Sequence, residues 1–150
     1  MNRNQYFIDA NILMYAIGRE HPLKKPSIQL LRNCVENVYF TYTNVEVLQE
    51  ILHRYTRLGE RIRAIEASER LAKLVVQVLP ITVENFSYAL TLHKQYPQLT
   101  ARDSIHAATL LQHNLTHMVS ADRHFDNIPG FIRIDPADWG AHIAYLKGIK

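Results

Sequence analysis

Four carboxylates stand at positions where a fold could gather them: Asp9, Glu50, Asp103 and Asp122. Asp9 follows directly on the apolar run Tyr6-Phe7-Ile8, and Asp122 follows His117-Met118-Val119-Ser120-Ala121. Asp103 falls in the first turn of a segment with helical spacing, and Glu50 lies on another, one turn beyond Glu46. Carboxylates held close together raise one another's pKa. A hard divalent cation removes that cost, because Mg2+ or Mn2+ prefers oxygen ligands and takes one or two carboxylates per ion together with substrate phosphate. The chemistry open to such a cluster is metal-assisted attack of water on a phosphate ester.

Each acid also has a plainer use. Asp9 can cap a helix that begins at Asn11. Asp103 sits three residues after Thr100, the spacing of a capping box. Asp122 can open the tight turn before Arg123-His124-Phe125. Glu46 and Glu50 share a helix face and either can point at the site. Asp126 is a second candidate near Asp122. His106, three residues past Asp103, shares its face and can hydrogen-bond a site carboxylate. No His-Glu-x-x-His occurs, which argues against a zinc protease, and Cys34 has no evident base beside it and reads as core.

The elements that must position these groups alternate along the chain. Tyr6-Phe7-Ile8 is a short buried strand of the kind found inside a parallel sheet. Residues 11–17 form a helix with Gly18 at its C′ position, residues 19–26 a loop with two prolines, and 27–35 a second helix. Val38–Thr41 is the second strand. Val45, Val47, Leu48, Ile51, Leu52 and Tyr55 stripe one helix, closed by Gly59, and Ile62, Ile65, Leu71, Leu74 and Val75 stripe the next. The two read as a helical hairpin projecting from the sheet, an apolar surface for a partner or for the core. Gln77–Leu79 is a third strand, Val83–Tyr96 a helix stopped by Pro97, Thr100–Asn114 another, His117–Ser120 a fourth strand, Phe131–Ile134 a fifth, and Pro136–Leu146 a last helix. Such alternation predicts an α/β fold with a mostly parallel sheet of about five strands. Functional groups then collect beyond the carboxyl ends of the strands, where Asp9 and Asp122 fall.

The chain has 150 residues, 47% of them apolar, which suits one domain spanning 1–150. Its single cysteine forms no internal disulfide, no run reaches membrane-spanning length, and no signal peptide is evident, so a cytoplasmic location is expected. A net charge of +3 permits a polyanionic partner without requiring one. Arg102 and Arg123 flank two of the aspartates and can meet the phosphates of such a partner. Lys24, Lys25, Arg54, Arg57, Arg61 and Arg63 can do the same, or be solvated helix residues with Glu60 and Glu66 as pairing partners. Tyr39, Tyr42, Tyr55 and Phe125 are scattered and assemble no base-stacking platform.

The motifs Ile8-Asp9-x-Asn11-Ile12-Leu13, Val47-Leu48-Gln49-Glu50-Ile51, Ala101-Arg102-Asp103-x-x-His106-Ala107-Ala108 and Ser120-Ala121-Asp122-x-x-Phe125, in this order, resemble the PIN domain. The resemblance is nearest to the VapC-type toxins of toxin–antitoxin pairs, and it covers nearly the whole chain. It implies a three-layer α/β/α fold and an endoribonuclease dependent on Mg2+ or Mn2+. Position by position, it implies Asp9, Glu50, Asp103 and Asp122 as the catalytic, metal-holding acids, with Asn11 and Ser120 in support. Glu46 and Asp126 stay as second choices. It also implies a VapB-like antitoxin and a homodimer. Two other readings remain open on the residues alone: a PIN nuclease of RNA processing or structured DNA that is no toxin, and a non-catalytic binding module whose acids are caps.

Overall fold

The computed structural model describes residues 4–36 and 39–148. The strands are β1 (Gln5–Ile8), β2 (Phe40–Asn44), β3 (Gln77–Leu79), β4 (His117–Val119) and β5 (Ile132–Ile134). Between and after them come α1 (Ala10–Ile17), α2 (Lys24–Val35), α3 (Val45–Arg57), α4 (Arg61–Leu74), α5 (Val83–Gln95), α6 (Ala101–Gln112) and α7 (Trp139–Leu146). The five strands form one parallel sheet in the order β3-β2-β1-β4-β5. The chain winds outward from β1 through β2 to β3, then returns to the other side of β1. Right-handed crossovers therefore put α1–α4 on one face and α5–α6 on the other. The order reverses between β1 and β4, and ligands of open parallel sheets bind at such a switch point.

Register fixes what meets there. Ile8 pairs with Val119, so Asp9 and Ser120 leave the sheet side by side. The Asp9 N–H donates to the Val119 carbonyl at 3.1 Å and the Ser120 N–H to the Ile134 carbonyl at 3.1 Å. β1 is buried from Tyr6 to Ile8, in keeping with a strand covered on both faces.

Several local expectations shift. The second strand runs from Phe40 to Asn44; Val38, expected to open it, lies outside the described residues. α2 starts at Lys24, three residues before Ser27, because Pro26 sits in the first turn where its missing N–H is not needed. Gly18 ends α1 with an extended φ of −82°, not in the left-handed region. Its glycine identity answers to space instead: a Cβ there would lie 2.7 Å from the Met14 carbonyl oxygen. Gly59, at φ +80°, closes α3 in a Schellman arrangement, with Glu60 N–H on the Tyr55 carbonyl and Gly59 N–H on that of Thr56.

The α3–α4 hairpin forms, but the buried face of α4 is Ala64, Ala67 and Leu71, while Ile62 and Ile65 are 70% and 45% exposed. Small alanines let α4 approach closely, so the bulkier isoleucine stripe turns outward. On α3, Val47, Ile51 and Tyr55 are buried and Val45 and Leu52 exposed.

Beyond β5, α7 returns to α2, and its His142 reaches β1 with a 2.8 Å hydrogen bond to the Tyr6 hydroxyl. His117 stacks on Tyr6 at 5.1 Å and lies 5.2 Å from His142. Burial, aided by His142, pushes the His117 pKa down to about 4. Between pH 6.5 and 4 the unfolded chain therefore binds the proton that folded His117 refuses, and stability falls as pH drops through that window. Because the ring is only half buried, the full shift is discounted to about 1–2 kcal/mol. Urea unfolding at pH 7 and pH 4.5 should show a loss of that size beyond the loss seen in His117→Phe; equal pH sensitivity in the two proteins would refute it.

Candidate active site

Asp9 is the N-cap of α1, its Oδ1 accepting the Ala10 N–H at 2.7 Å. Its other oxygen accepts the Ser120 hydroxyl at 2.6 Å and the Asn11 amide at 3.4 Å. Ser120 is a hub: its Oγ also accepts from Asn11 Nδ2 and from the Asp122 N–H, both at 3.0 Å. The Ala121 N–H returns to Asn11 Oδ1 at 3.3 Å. Thus α1 and the segment after β4 are tied together around one carboxylate. Burial pushes Asp9 up to about 6, with His106 and Ser120 opposing the shift and Glu50 adding to it.

Asp103 completes a capping box at the start of α6. Its N–H donates to Thr100 Oγ1 at 3.2 Å and its Oδ2 accepts the Thr100 N–H at 3.1 Å. Asp122 accepts the His124 N–H at 2.9 Å and so caps the 3-10 turn Arg123–Phe125. That turn, anchored by fully buried Phe125, swings the His124 ring between the two aspartates, 3.1 Å from Asp103 Oδ2 and 3.2 Å from Asp122 Oδ1. One ligand atom each of Asp103, Asp122 and His124 lies within 4.8 Å of the others. His124 was not among the residues the motifs point to; its signal is a histidine two places after an aspartate in a turn, with an aromatic anchor beside it.

Glu50, on α3, approaches Asp9 by way of His106. Its Oε1 lies 3.7 Å from His106 Nε2, which is 3.9 Å from Asp9 Oδ1. The orientation of His106 follows from Asn44, the N-cap of α3. Asn44 Oδ1 accepts the Val47 N–H, which turns its amide nitrogen toward Thr109 Oγ1 at 3.0 Å and His106 Nδ1 at 3.2 Å. Nδ1 is then an acceptor, so the ring proton sits on Nε2 and faces Asp9 and Glu50. His106 is 1% exposed, and this Nε2 has no hydrogen-bond partner within 3.5 Å among the described residues.

Of the second choices, Glu46 points at Arg102 (3.4 Å to Nε), and Asp126 is held by Arg133 (2.6 Å to Nε). Arg133 also donates to the Ser120 carbonyl at 2.9 Å and to Asp135 at 3.2 Å, bracing the backbone that carries the Ser120 hub. Arg123 is exposed on the turn.

The donor set is carboxylates and one imidazole, with no thiol, and suits a hard or borderline divalent cation. Burial works against a charged His106, yet Glu50, Asp9 and Asp103 around it raise its pKa, so this buried ring answers part of the negative charge gathered beside Asp9.

Residues 6–130 match the family model described as PIN domain. Ribonuclease VapC13 of Mycobacterium tuberculosis (strain ATCC 25618 / H37Rv) is 36% identical over 127 residues, covering 85% of this chain and 97% of that protein. Ribonuclease VapC23 of the same strain is 32% identical over 116 residues, covering 77% and 91%. Among solved structures, the fold is similar to VapBC2 from Rickettsia felis bound to a DNA fragment from their promoter, with TM-score 0.68 and 18% identity over 86% of this chain and 96% of that one. It is also similar to VapC20 of Mycobacterium tuberculosis, described as a Sarcin-Ricin loop cleaving toxin, with TM-score 0.64 and 14% identity over 76% and 87%. The match runs through almost all of the strands of the sheet, and the chain belongs to that family, the PIN domains, among the VapC ribonucleases.

Proposed function

We propose that this protein is a divalent-metal-dependent endoribonuclease, the toxin of a VapBC-type toxin–antitoxin pair, with Asp9, Glu50, Asp103 and Asp122 as its acidic site. What supports the site assignment is that the capping aspartates are linked to one another: Asp103 and Asp122 share the His124 ring, and the Ser120 hydroxyl joins the Asp9 carboxylate to the Asp122 backbone. Caps alone would not need to converge. The named relatives support the substrate: they are called ribonucleases.

Asp103 and Asp122, with His124 within 4.8 Å of both, would hold Mg2+ or Mn2+ together with Asp9 and Glu50, which lie against His106. The ion supplies positive charge that lowers the pKa of water and stabilises charge developing on the phosphate. The chain's own residues do the rest. Ser120 and Asn11 fix the Asp9 carboxylate, and His106, set by Asn44, presents its N–H to Asp9 and Glu50 and limits their repulsion. Arg102 and exposed Arg123 offer charge to phosphates flanking the cut. A VapB-like antitoxin is the protein partner of this reading, a homodimer its assembly and the cytoplasm its place. The outward Leu52, Ile62 and Ile65 of the hairpin give a protein partner an apolar face. No helix among the described residues is long and apolar enough to cross a membrane.

The test is cleavage of a mixed RNA panel by purified protein with Mg2+, with Mn2+ and with EDTA, beside Asp103→Asn. Cutting that requires metal and disappears in the variant is expected. Cutting that persists through both EDTA and the substitution would overturn the mechanism.

A further inference from the structure

Two clefts open next to the acidic site. One, of about 720 Å³, begins at Asn11 and runs along Met14 and Tyr15 to Arg19, His21 and Arg63. The other, of about 630 Å³, begins at Glu50 and Arg102 and runs along His53 and Arg57. They share Met14, Arg54 and Leu58, so they form one groove that touches the site at both Asn11 and Glu50.

Three features of its lining point to one kind of occupant. The first is charge. Arg19, Arg54 and Arg57 pair with no carboxylate among the described residues, whereas Arg63 is held by Glu60 at 2.9 Å and Arg102 by Glu46 at 3.4 Å. The acids of the groove are engaged too: Glu60 with Arg63, Glu20 with Lys24 at 3.8 Å, and Glu50 toward His106. What remains free in the groove is cationic. The second is aromatic. Tyr15 and His21 lie against each other at 4.6 Å with an interplanar angle of 31°, on the wall of the first cleft. His21 is exposed and Tyr15 partly so, which leaves ring surface for a further planar group. The third is the floor, where Met14 and the 57% exposed Leu58 offer apolar contact between the arginines and the rings. Unpaired cations spaced along a groove with a stacking surface are what an unpaired nucleic-acid strand needs, because phosphates take the cations and any base has a face to stack.

We propose that this groove is the path of single-stranded RNA flanking the scissile phosphate, with Arg54 and Arg57 on its phosphates and Tyr15–His21 receiving a base. The proposal rests on the ribonuclease reading above and adds to it where the substrate lies. The outward apolar side chains Leu52, Ile62 and Ile65 line neither cleft, so a protein partner has a different face to use.

The experiment uses the full chain carrying Asp103→Asn, with Mg2+ present, and a fluorescein-labelled 12-nucleotide single-stranded RNA of mixed sequence, read by anisotropy across a salt series. Adding Arg54→Ala and Arg57→Ala together should weaken binding roughly 10-fold and lower the slope of log K against log salt by about 1.4, two phosphates' worth for a single strand. Tyr15→Leu, which keeps bulk but loses the ring, should weaken binding about 5- to 100-fold, while Tyr15→Phe retains it. In parallel, the same groove substitutions are made in the active protein and its cleavage of the RNA panel is measured. If the active protein cuts RNA and the groove variants cut with unchanged kcat/KM and salt slope, the groove proposal fails, the cleft belongs to a protein partner, and the nuclease reading stands. If the parent neither binds nor cuts RNA, the ribonuclease reading fails and this one with it.

Discussion

Asp9→Asn is expected to lower RNA cleavage on the order of 10³-fold and to leave the fold intact. The substitution removes the charge and one hydrogen bond while keeping the shape. Asn caps helices as well as Asp does, so its side-chain oxygen can keep the Ala10 N–H that Oδ1 now accepts. The Ser120 hydroxyl, which donates to Oδ2, loses that acceptor, because its own two lone pairs already receive the Asn11 amide and the Asp122 N–H, a loss of about 1 kcal/mol. The carboxylate is 6% exposed and burial drives its pKa up to about 6, so the folded metal-free protein holds this charge at a cost. Relief of the buried charge and loss of the Ser120 hydrogen bond oppose each other, so the melting temperature of the metal-free variant should stay close to that of the parent. Saturating Mg2+ should raise the parent's melting temperature by linkage and leave the variant's nearly unmoved. Single-turnover cleavage and thermal melts with and without Mg2+ check both halves. A variant that cuts within tenfold of the parent and still responds to Mg2+ would show that Asp9 is a helix cap and nothing more.

How the site could be read from the chain follows from that carboxylate. An apolar run too short for anything but a buried strand, ending in Asp9, places an acid at the edge of a parallel sheet without any structure in hand. The cap of α1, the capping box of α6 and the turn after β4 are likewise written in local spacing. As sequence signals they compete with a shared site. On the reading proposed above the two uses coincide: in Asp103 and Asp122 the oxygen that accepts a backbone N–H is also the one the His124 ring approaches. The plainer use of each aspartate and its proposed chemical use then share one geometry.

What local spacing does not carry is direction across the fold. His106 shares a helix face with Asp103, but its Nε2 faces Asp9 and Glu50, because Asn44 on a different element occupies Nδ1. The contact with Asp103 comes instead from His124, delivered by a 3-10 turn that has no periodicity to read. Glu46 and Glu50 are equivalent by spacing, and only Arg102, arriving from α6, separates them. The same limit explains α4: isoleucines outweigh alanines in any hydrophobic pattern, yet close helix packing selects Ala64 and Ala67 for the interface. Arg133, which braces Ser120 from β5, reads in sequence as one more surface cation.

Trp139→Ala is expected to cost about 3–5 kcal/mol, a large part of a typical domain's stability. Trp139 lies outside the residues 6–130 that match the family model, so its effect measures whether the last strand and helix belong to the fold or merely follow it. The ring is 1% exposed, meets Tyr6 edge-on at 5.2 Å and Tyr39 at 5.8 Å, and donates from Nε1 to Asn33 Oδ1 at 2.9 Å. It thereby links α7 to α2 and to β1, the strand that ends at Asp9. Urea unfolding should show a midpoint lowered by about 2 M at an ordinary slope for this size. Trp139→Phe, which keeps the ring contact with Tyr6 and loses the bond to Asn33, should lose about half as much. A midpoint shift under about 0.5 M for the alanine variant would mean that α7 is a detachable cover. The two substitutions separate the roles that β1 combines. Asp9→Asn keeps the scaffold and loses the chemistry. Trp139→Ala, assayed well below its lowered melting temperature, should keep the chemistry on a weakened scaffold, because no atom of Trp139 approaches the acids.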